Sequence, residues 1–328
     1  STLRRLSAGG LAVVFISHKL AEVMAISQRV VVMRGGKVVA ELATAMTDHA
    51  ELAQTMVGRP IPPTVRQPLP AGEPVLELRD VWVSGGFAQT ALEGLSLTVR
   101  RHQLVGIAGV SGNGQGALFS LLSGLVRPER GEFRLFGKAV TAPSPAGMVE
   151  AGVGRIPEDR HRDGVVSDMA VWENLMLEDY RQPQFQKAGF VRRRAAQARA
   201  QAIIQKYDLR CPGPEAPTRL LSGGNMQKLI LGRVLEREPG LILANQPSRG
   251  LDVGAVTYVR SRLLEARTAG AGIILMSEDL DELLALSDFV AVLYRGRCSL
   301  PLAVEEVTIG RLGLMMAGSS FAEAADAA

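Results

Sequence analysis

The stretch from Gly109 to Gly116 has the glycine spacing of a phosphate loop, G-x-x-x-x-G-K-[ST], but not its charged end. Gly109 and Gly114 bracket four residues, with Gly112 between them. The lysine position holds Gln115 and the hydroxyl position holds Gly116. In such a loop the backbone N–H groups and the N-terminus of the next helix face an anion. Gln115 keeps a neutral donor and supplies no charge, and Gly116 supplies no metal ligand. A second constellation, Ser222-Gly223-Gly224-Asn225, opens an amphipathic stretch. There Ser222 can cap a helix, and the glycines let backbone approach a phosphate closely. A third is an apolar run, 240–244, that ends in Asn245 and Gln246, then Pro247 and the loop 248–252, SRGLD.

These groups need elements to aim them. The segment 104–125 reads as strand, glycine loop and helix, the context that turns a glycine pattern into a phosphate site. Residues 10–39 resemble 270–299 at a shift of 260. Ser17 matches Ser277, Glu22 matches Glu282, Ser27 matches Ser287 and Gly36 matches Gly296. Each copy reads as buried strand, helix, strand, glycine turn and strand, with AVVFI and GIILM as the buried strands. A repeat of that length is a duplicated domain. The first copy begins too late to contain a whole one, so residues 1–57 are expected to be the end of a truncated first domain. Residues 58–74 carry six prolines and read as a linker. The second domain is expected over 75–317, opening on strand-like VLELRDVWV, and 318–328 as a flexible tail. The charged stretch 191–210 reads as a helix with a solvated face.

Of the 328 residues, 47% are hydrophobic and 21% charged, which suits a folded chain with a sizeable core rather than a disordered one. No apolar run reaches the length of a membrane helix, and the opening residues do not make a convincing signal peptide. The net charge of +4 is ordinary surface charge, and no basic stretch is interleaved with aromatics, so no nucleic-acid partner is expected. Cys211 and Cys298 match no metal spacing, and His102 and His161 read as surface residues.

The order of glycine loop, LSGGNMQK (221–228), a strand ending in NQPSRGLDVGA and then SEDLDE resembles the ATP-binding subunit of an ABC transporter. With IPEDRHRDG (156–164), it is similar to the branch with tandem ATPase domains that imports ribose-like sugars and nucleosides. The resemblance implies an α/β fold of the ABC-type P-loop kind: a mostly parallel sheet, an antiparallel β subdomain, and a helical subdomain at roughly 165–235. It implies ATP and Mg²⁺ as cofactors and a membrane permease as partner. It also implies head-to-tail pairing, each ATP lying between the phosphate loop of one domain and the LSGG of the other.

Carried across residue by residue, the resemblance exposes departures. The family lysine and metal-binding hydroxyl are Gln115 and Gly116. The family's metal-binding Asp and water-orienting Glu are Asn245 and Gln246, amides of nearly the same shape. The switch histidine is kept in the first copy as His18 and is Glu278 in the second, and the loop glutamine is Glu158. The losses fall on hydrolysis and metal binding, while Ser222, Gly223, Gly224 and Asn225 stand intact.

The expected active site is therefore composite. This chain would contribute His18, Ser222, Gly223 and Gly224 to it, Mg²⁺ would lie mainly there, and the remainder would come from a missing N-terminal ATPase domain or a second copy. The loop residues Gly109, Gly112, Asn113, Gly114, Gln115 and Gly116, with Asn225, Asp252 and the candidate adenine-stacking Phe87, would hold nucleotide weakly, without turnover. Trp82 is the other stacking candidate, and Asp252 is expected to bridge the two domains. The expected function is the energy-coupling ATPase subunit of a sugar or nucleoside importer, peripheral on the cytoplasmic membrane face, with 156–175 near the permease. The second domain alone is expected not to hydrolyse ATP. The alternative is a catalytically inactive regulatory or structural domain. A soluble relative acting on nucleic acid is disfavoured, because the linker is short and proline-rich rather than a charged insertion.

Overall fold

Buried apolar runs make the centre of the molecule. In the computed structural model, which describes residues 2–17, 20–58, 66–85 and 90–319, five parallel strands form one sheet. Their order is Phe289–Tyr294, Leu104–Ala108, Gly272–Ser277, Leu241–Asn245 and Val153–Ile156. Short strands Arg297–Cys298 and Leu302–Ala303 add antiparallel to the first of these. Leu104–Ala108, Leu241–Asn245 and Gly272–Ser277 are buried at every residue, so they read as unbroken apolar runs rather than alternating ones. The glycine loop 109–114 leaves the end of Leu104–Ala108, and the loop 246–252 leaves the end of Leu241–Asn245.

An antiparallel sheet in the order Leu92–Arg100, Pro74–Val83, Arg130–Leu135 and Lys138–Ala139 joins the same core. The helical part holds Val171–Met176, Arg193–Lys206 and Gly223–Leu235. Arg193–Lys206 buries only Ala196, Ala200 and Ile203, at helical spacing, and carries its arginines, glutamines and lysine away from that buried stripe. It approaches Gly223–Leu235 at Gly232, where a Cβ would stand 2.6 Å from Ile203 Cγ2. Asn174 ties the region together: its amide donates to Thr218 Oγ1 at 2.8 Å and accepts from the Val166 N–H at 2.8 Å.

The described chain divides into two compact units, Ser1–Thr64 with Gly250–Tyr258, and Val65–Arg249 with Val259–Ala328. The first holds the helices Thr2–Ala8, Leu20–Ile26 and His49–Val57 and the hairpin Arg29–Arg34/Lys37–Ala43. The hairpin turn is two glycines, Gly35 and Gly36, both at positive φ (58° and 78°), as a tight hairpin turn of this hand requires. In the second unit Tyr294 and Arg297 pair across Arg295 and Gly296, again at positive φ (47° and 81°). Residues 66–73 form neither helix nor strand. Most of the expected tail, from 320 onward, lies outside the described residues.

One sequence expectation fails. AVVFI does not form a buried strand: residues 11–17 carry no strand, and Val14 and Ile16 are 95% and 100% exposed. Its counterpart Gly272–Ser277 lies between two parallel neighbours that satisfy its backbone on both edges. The only sheet among the described residues of the first unit is the hairpin, which does not include 11–17. A strand without neighbours leaves both rows of N–H and C=O unpaired, so an apolar run alone does not make one.

Candidate functional site

The glycine loop joins Leu104–Ala108 to the helix Gln115–Leu122. Gly112 and Gly114 take φ of 91° and 118°, open to glycine at little cost. A Cβ on Gly109 would come 2.7 Å from the Leu293 carbonyl oxygen. Asn113 locks the loop to the Arg295-Gly296 hairpin: its side-chain oxygen accepts from Arg295 N–H at 2.9 Å, and its carbonyl accepts from Gly296 N–H at 2.8 Å. Its side-chain amide donates to Val110 O at 3.0 Å.

Gln115 folds back over the loop. Its Oε1 accepts from the Asn113 N–H at 3.1 Å, and its Nε2 donates to Val110 O at 3.1 Å. Glu278, at the turn after Gly272–Ser277, accepts from the Ser111 N–H at 2.9 Å. The Glu278 N–H in turn points to Gln246 Oε1 at 3.4 Å. Gln246 sits at positive φ, 48°, and its N–H donates to Met276 O at 2.8 Å. Gln115 and Glu278 therefore meet at the loop, and Gln246 reaches it through Glu278. Asn245 ends its strand buried, opposite Met276. Gly116 lies in the first turn of the helix.

The residues do not fit Mg²⁺. Gly116 offers no hydroxyl, Asn245 and Gln246 offer no carboxylate, and the described residues contain no group of three His, Cys, Asp or Glu able to hold a metal ion.

The second constellation is a built helix start. Ser222 caps Gly223–Leu235, its Oγ accepting from the Asn225 N–H at 3.4 Å and from the Asn225 amide at 2.9 Å. Asn225 Oδ1 accepts from Arg210 N–H at 2.9 Å, which fixes the approach of the preceding chain. Ser222 is exposed, and Met226 is buried, anchoring the first turn from below. Asp252 accepts from the Ala255 N–H at 2.9 Å at the start of the helix Val253–Thr268.

Arg160 was not singled out by the sequence. It donates to Gly223 O at 3.4 Å and to Arg249 O, linking the turn Arg160–Gly164 to both the Ser222 helix and the SRGLD loop. Arg249 in turn pairs with Glu158. Burial pushes the Arg160 guanidinium down, opposed by the neighbouring charge of Asp159. Asp159 is held below the usual carboxylate range by accepting from the Arg162 and His161 N–H groups. No local signal pointed to it, because Gly223 and Arg249 lie 63 and 89 positions away.

Other expectations meet their outcomes here. His18 and Phe87 lie outside the described residues. Trp82 donates from Nε1 to Asp80 at 2.9 Å and carries the Arg130 guanidinium 5.8 Å from its ring centroid. His161 is exposed, whereas His102 is half-buried, its Nδ1 3.1 Å from Arg267 O. The repeat has a structural counterpart: Ser17 Oγ donates to Glu22 at 3.2 Å, and Ser277 Oγ donates to Glu282 at 2.8 Å.

A parallel sheet with a glycine loop, an antiparallel sheet beside it, and a helical part that presents Ser222-Gly223-Gly224 define an ATP-binding cassette of the P-loop kind. Residues 92–249 match the family model described as ABC transporter. The chain is 41% identical over 326 residues to a glucose import ATP-binding protein of Haloferax volcanii, spanning 98% of this chain and 59% of that protein. It is 36% identical to a nucleoside import ATP-binding protein of Lactococcus lactis (98% and 64%) and 37% identical to a ribose import ATP-binding protein of Rubrobacter xylanophilus (92% and 57%). The chain thus spans about three-fifths of the length of these relatives. Its fold is similar to that of cbiO1 from Clostridium perfringens, part of an ABC transporter complex, at TM-score 0.59 and 20% identity over 78% of this chain and 98% of that one. It is also similar to an ABC transporter cassette in its ADP conformation, at TM-score 0.58 and 19% identity over 76% and 98%.

Proposed function

We propose that this chain is the second cassette, with the end of a first, of the ATP-binding subunit that energises an importer for sugars or nucleosides. The relatives' names support the substrate class. The shared Ser–Glu hydrogen bond and the two-residue turn in both copies support reading residues 1–57 as the end of a first cassette, 58–74 as linker and 75–317 as the second.

The observation that carries the reading is an asymmetry. The Ser222–Asn225 helix start is complete, with Ser222 exposed and Gly223, Gly224 and Asn225 half-buried, while the chain's own loop lacks the charge and ligands that hydrolysis needs. In the longer protein Ser222, Gly223 and Gly224 complete the site of the first cassette, with His18 as its switch residue. Ser222 Oγ and the N–H groups that follow it meet the phosphates, and Arg160 holds that turn in place. Bound ATP supplies the adhesion that closes the pair, and its hydrolysis reopens it. Mg²⁺ belongs to that site. The loop Gly109–Gly116 is the second site, without turnover. For this chain by itself, Gln115, Gly116, Asn245, Gln246 and Glu278 favour the second reading, a cassette that does not hydrolyse ATP. The permease, at the cytoplasmic membrane face, is the partner, and residues 156–175 are its docking region. No helix among the described residues is long and apolar enough to cross a membrane.

The test is ATP hydrolysis by the longer protein. Ser222→Arg abolishes it by blocking the shared site from across the pair, a loss of at least about a hundredfold if those donors stabilise the transition state. Gln115→Ala barely changes it. Equal damage from both would sink the division of labour.

A further inference from the structure

Two backbone donors of the phosphate loop already have acceptors from the chain itself. Ser111 N–H donates to a Glu278 carboxylate oxygen at 2.9 Å, and Asn113 N–H donates to Gln115 Oε1 at 3.1 Å. In a loop of this shape such N–H groups are what a phosphate binds. A carboxylate is the side chain that most nearly imitates a phosphate oxygen, and charge-assisted bonds to it are about twice as strong as neutral ones.

The surroundings make the substitution self-consistent. Residues 109–116 carry no charge of their own, so Glu278 is the charged side chain with a hydrogen bond into the loop. Its backbone N–H reaches Gln246 Oε1 at 3.4 Å; a carboxylate at 246 would add a second negative charge beside Glu278, whereas the amide adds none. A lysine at 115 would compete with the loop for Glu278, whereas Gln115 closes on Asn113 and Val110 instead. The changes at 115, 246 and 278 thus form one connected set rather than three separate losses.

We infer that Glu278 is the resident anion of this loop: its carboxylate takes the place of a nucleotide phosphate, and nucleotide enters only by displacing it. Glu278 and Ser111 are both exposed, so the device is a competitor and not a seal. The inference rests on reading Gly109–Gly116 as the second, non-hydrolysing site and goes beyond it by naming what occupies that site.

The experiment compares the chain with its Glu278→Ala and Glu278→Gln variants. Binding of Mg²⁺-free ATP and of inorganic pyrophosphate is followed by calorimetry, and the Ser111 amide proton by NMR. Glu278→Ala is expected to tighten both ligands about tenfold or more, the worth of one charge-assisted hydrogen bond. It also shifts the Ser111 amide proton upfield before any ligand is added. Glu278→Gln tightens both less, because its amide oxygen still accepts from Ser111. Unchanged or weaker binding in Glu278→Ala overturns the inference. So does a Ser111 amide that does not move, and so does an absence of binding in every protein, since removing a competitor must reveal the cradle. Hydrolysis by the longer protein does not enter these readouts, so this inference and the paired-site reading can fail independently.

Discussion

At Cys298 a small side chain has an unusual setting. The residue packs against the main core, and burial pushes its thiol up to about 12. Cys211, half-buried like Cys298, is raised by burial as well, opposed by a hydrogen bond from the backbone N–H of Gly213. The thiolate is the reactive form, so Cys298 is expected to escape iodoacetamide at pH 8 in the native fold, while Cys211 reacts slowly; peptide mass spectrometry separates the two. The folded thiol keeps its proton where the unfolded chain, with its usual value of 9.0, has lost it. The stability this represents is complete below pH 9 and is lost as pH rises toward 12. Urea midpoints measured from pH 8 to 11 should therefore fall less steeply in Cys298→Ala than in the parent.

Among the elements, Asp288 is the joint. It opens the strand Phe289–Tyr294 and accepts from the Leu104 N–H at 2.8 Å, aligning two neighbouring strands. Arg267, at the end of Val253–Thr268 and nearly fully buried, donates to both its oxygens, at 2.8 and 2.6 Å. Arg66, from the chain preceding the antiparallel sheet, donates at 2.8 Å, and Arg267 also donates to Gln67 O at 2.9 Å. One carboxylate thus gathers two strands, a helix and the incoming chain. Asp288→Ala leaves Arg267 as a buried, uncompensated charge, which costs about 3–5 kcal/mol. For a unit of this size the melting temperature should drop by roughly 6–20 °C, readable by calorimetry. A fall of only a degree or two would show the network to be weak. Nothing in the local sequence marks this aspartate, because its partners come from distant segments that only the fold brings together.

Across the whole molecule, protection is expected to differ between segments that look alike in composition. Gly272–Ser277 and Leu241–Asn245 are hydrogen-bonded on both edges and fully buried. Residues 12–16, equally apolar, have no backbone ladder among the described residues and expose Val14 and Ile16. Native-state amide exchange should show the two core strands opening only with global unfolding, and 12–16 exchanging near the rate of unstructured chain. Strong protection at 12–16 in this chain would mean that the segment finds a strand partner in solution.

By itself the sequence determined the class of fold and the identity of the motifs. Both are written locally: strand-length apolar runs, glycines where φ must be positive, a serine at a helix start, and a 260-residue repeat whose matched Ser–Glu pairs form the same hydrogen bond twice. It also showed that positions 115, 245 and 246 hold uncharged amides. Tertiary structure decided where the remaining charges went. Glu278 reaches Ser111 across 167 positions, Arg160 reaches Arg249 across 89, and Asp288 reaches Arg66 across 222. The same dependence on distant partners separates GIILM, a strand, from AVVFI, which is not one. Propensity and spacing are properties of a short stretch, whereas a backbone edge or a buried charge is satisfied only by whatever the fold places beside it.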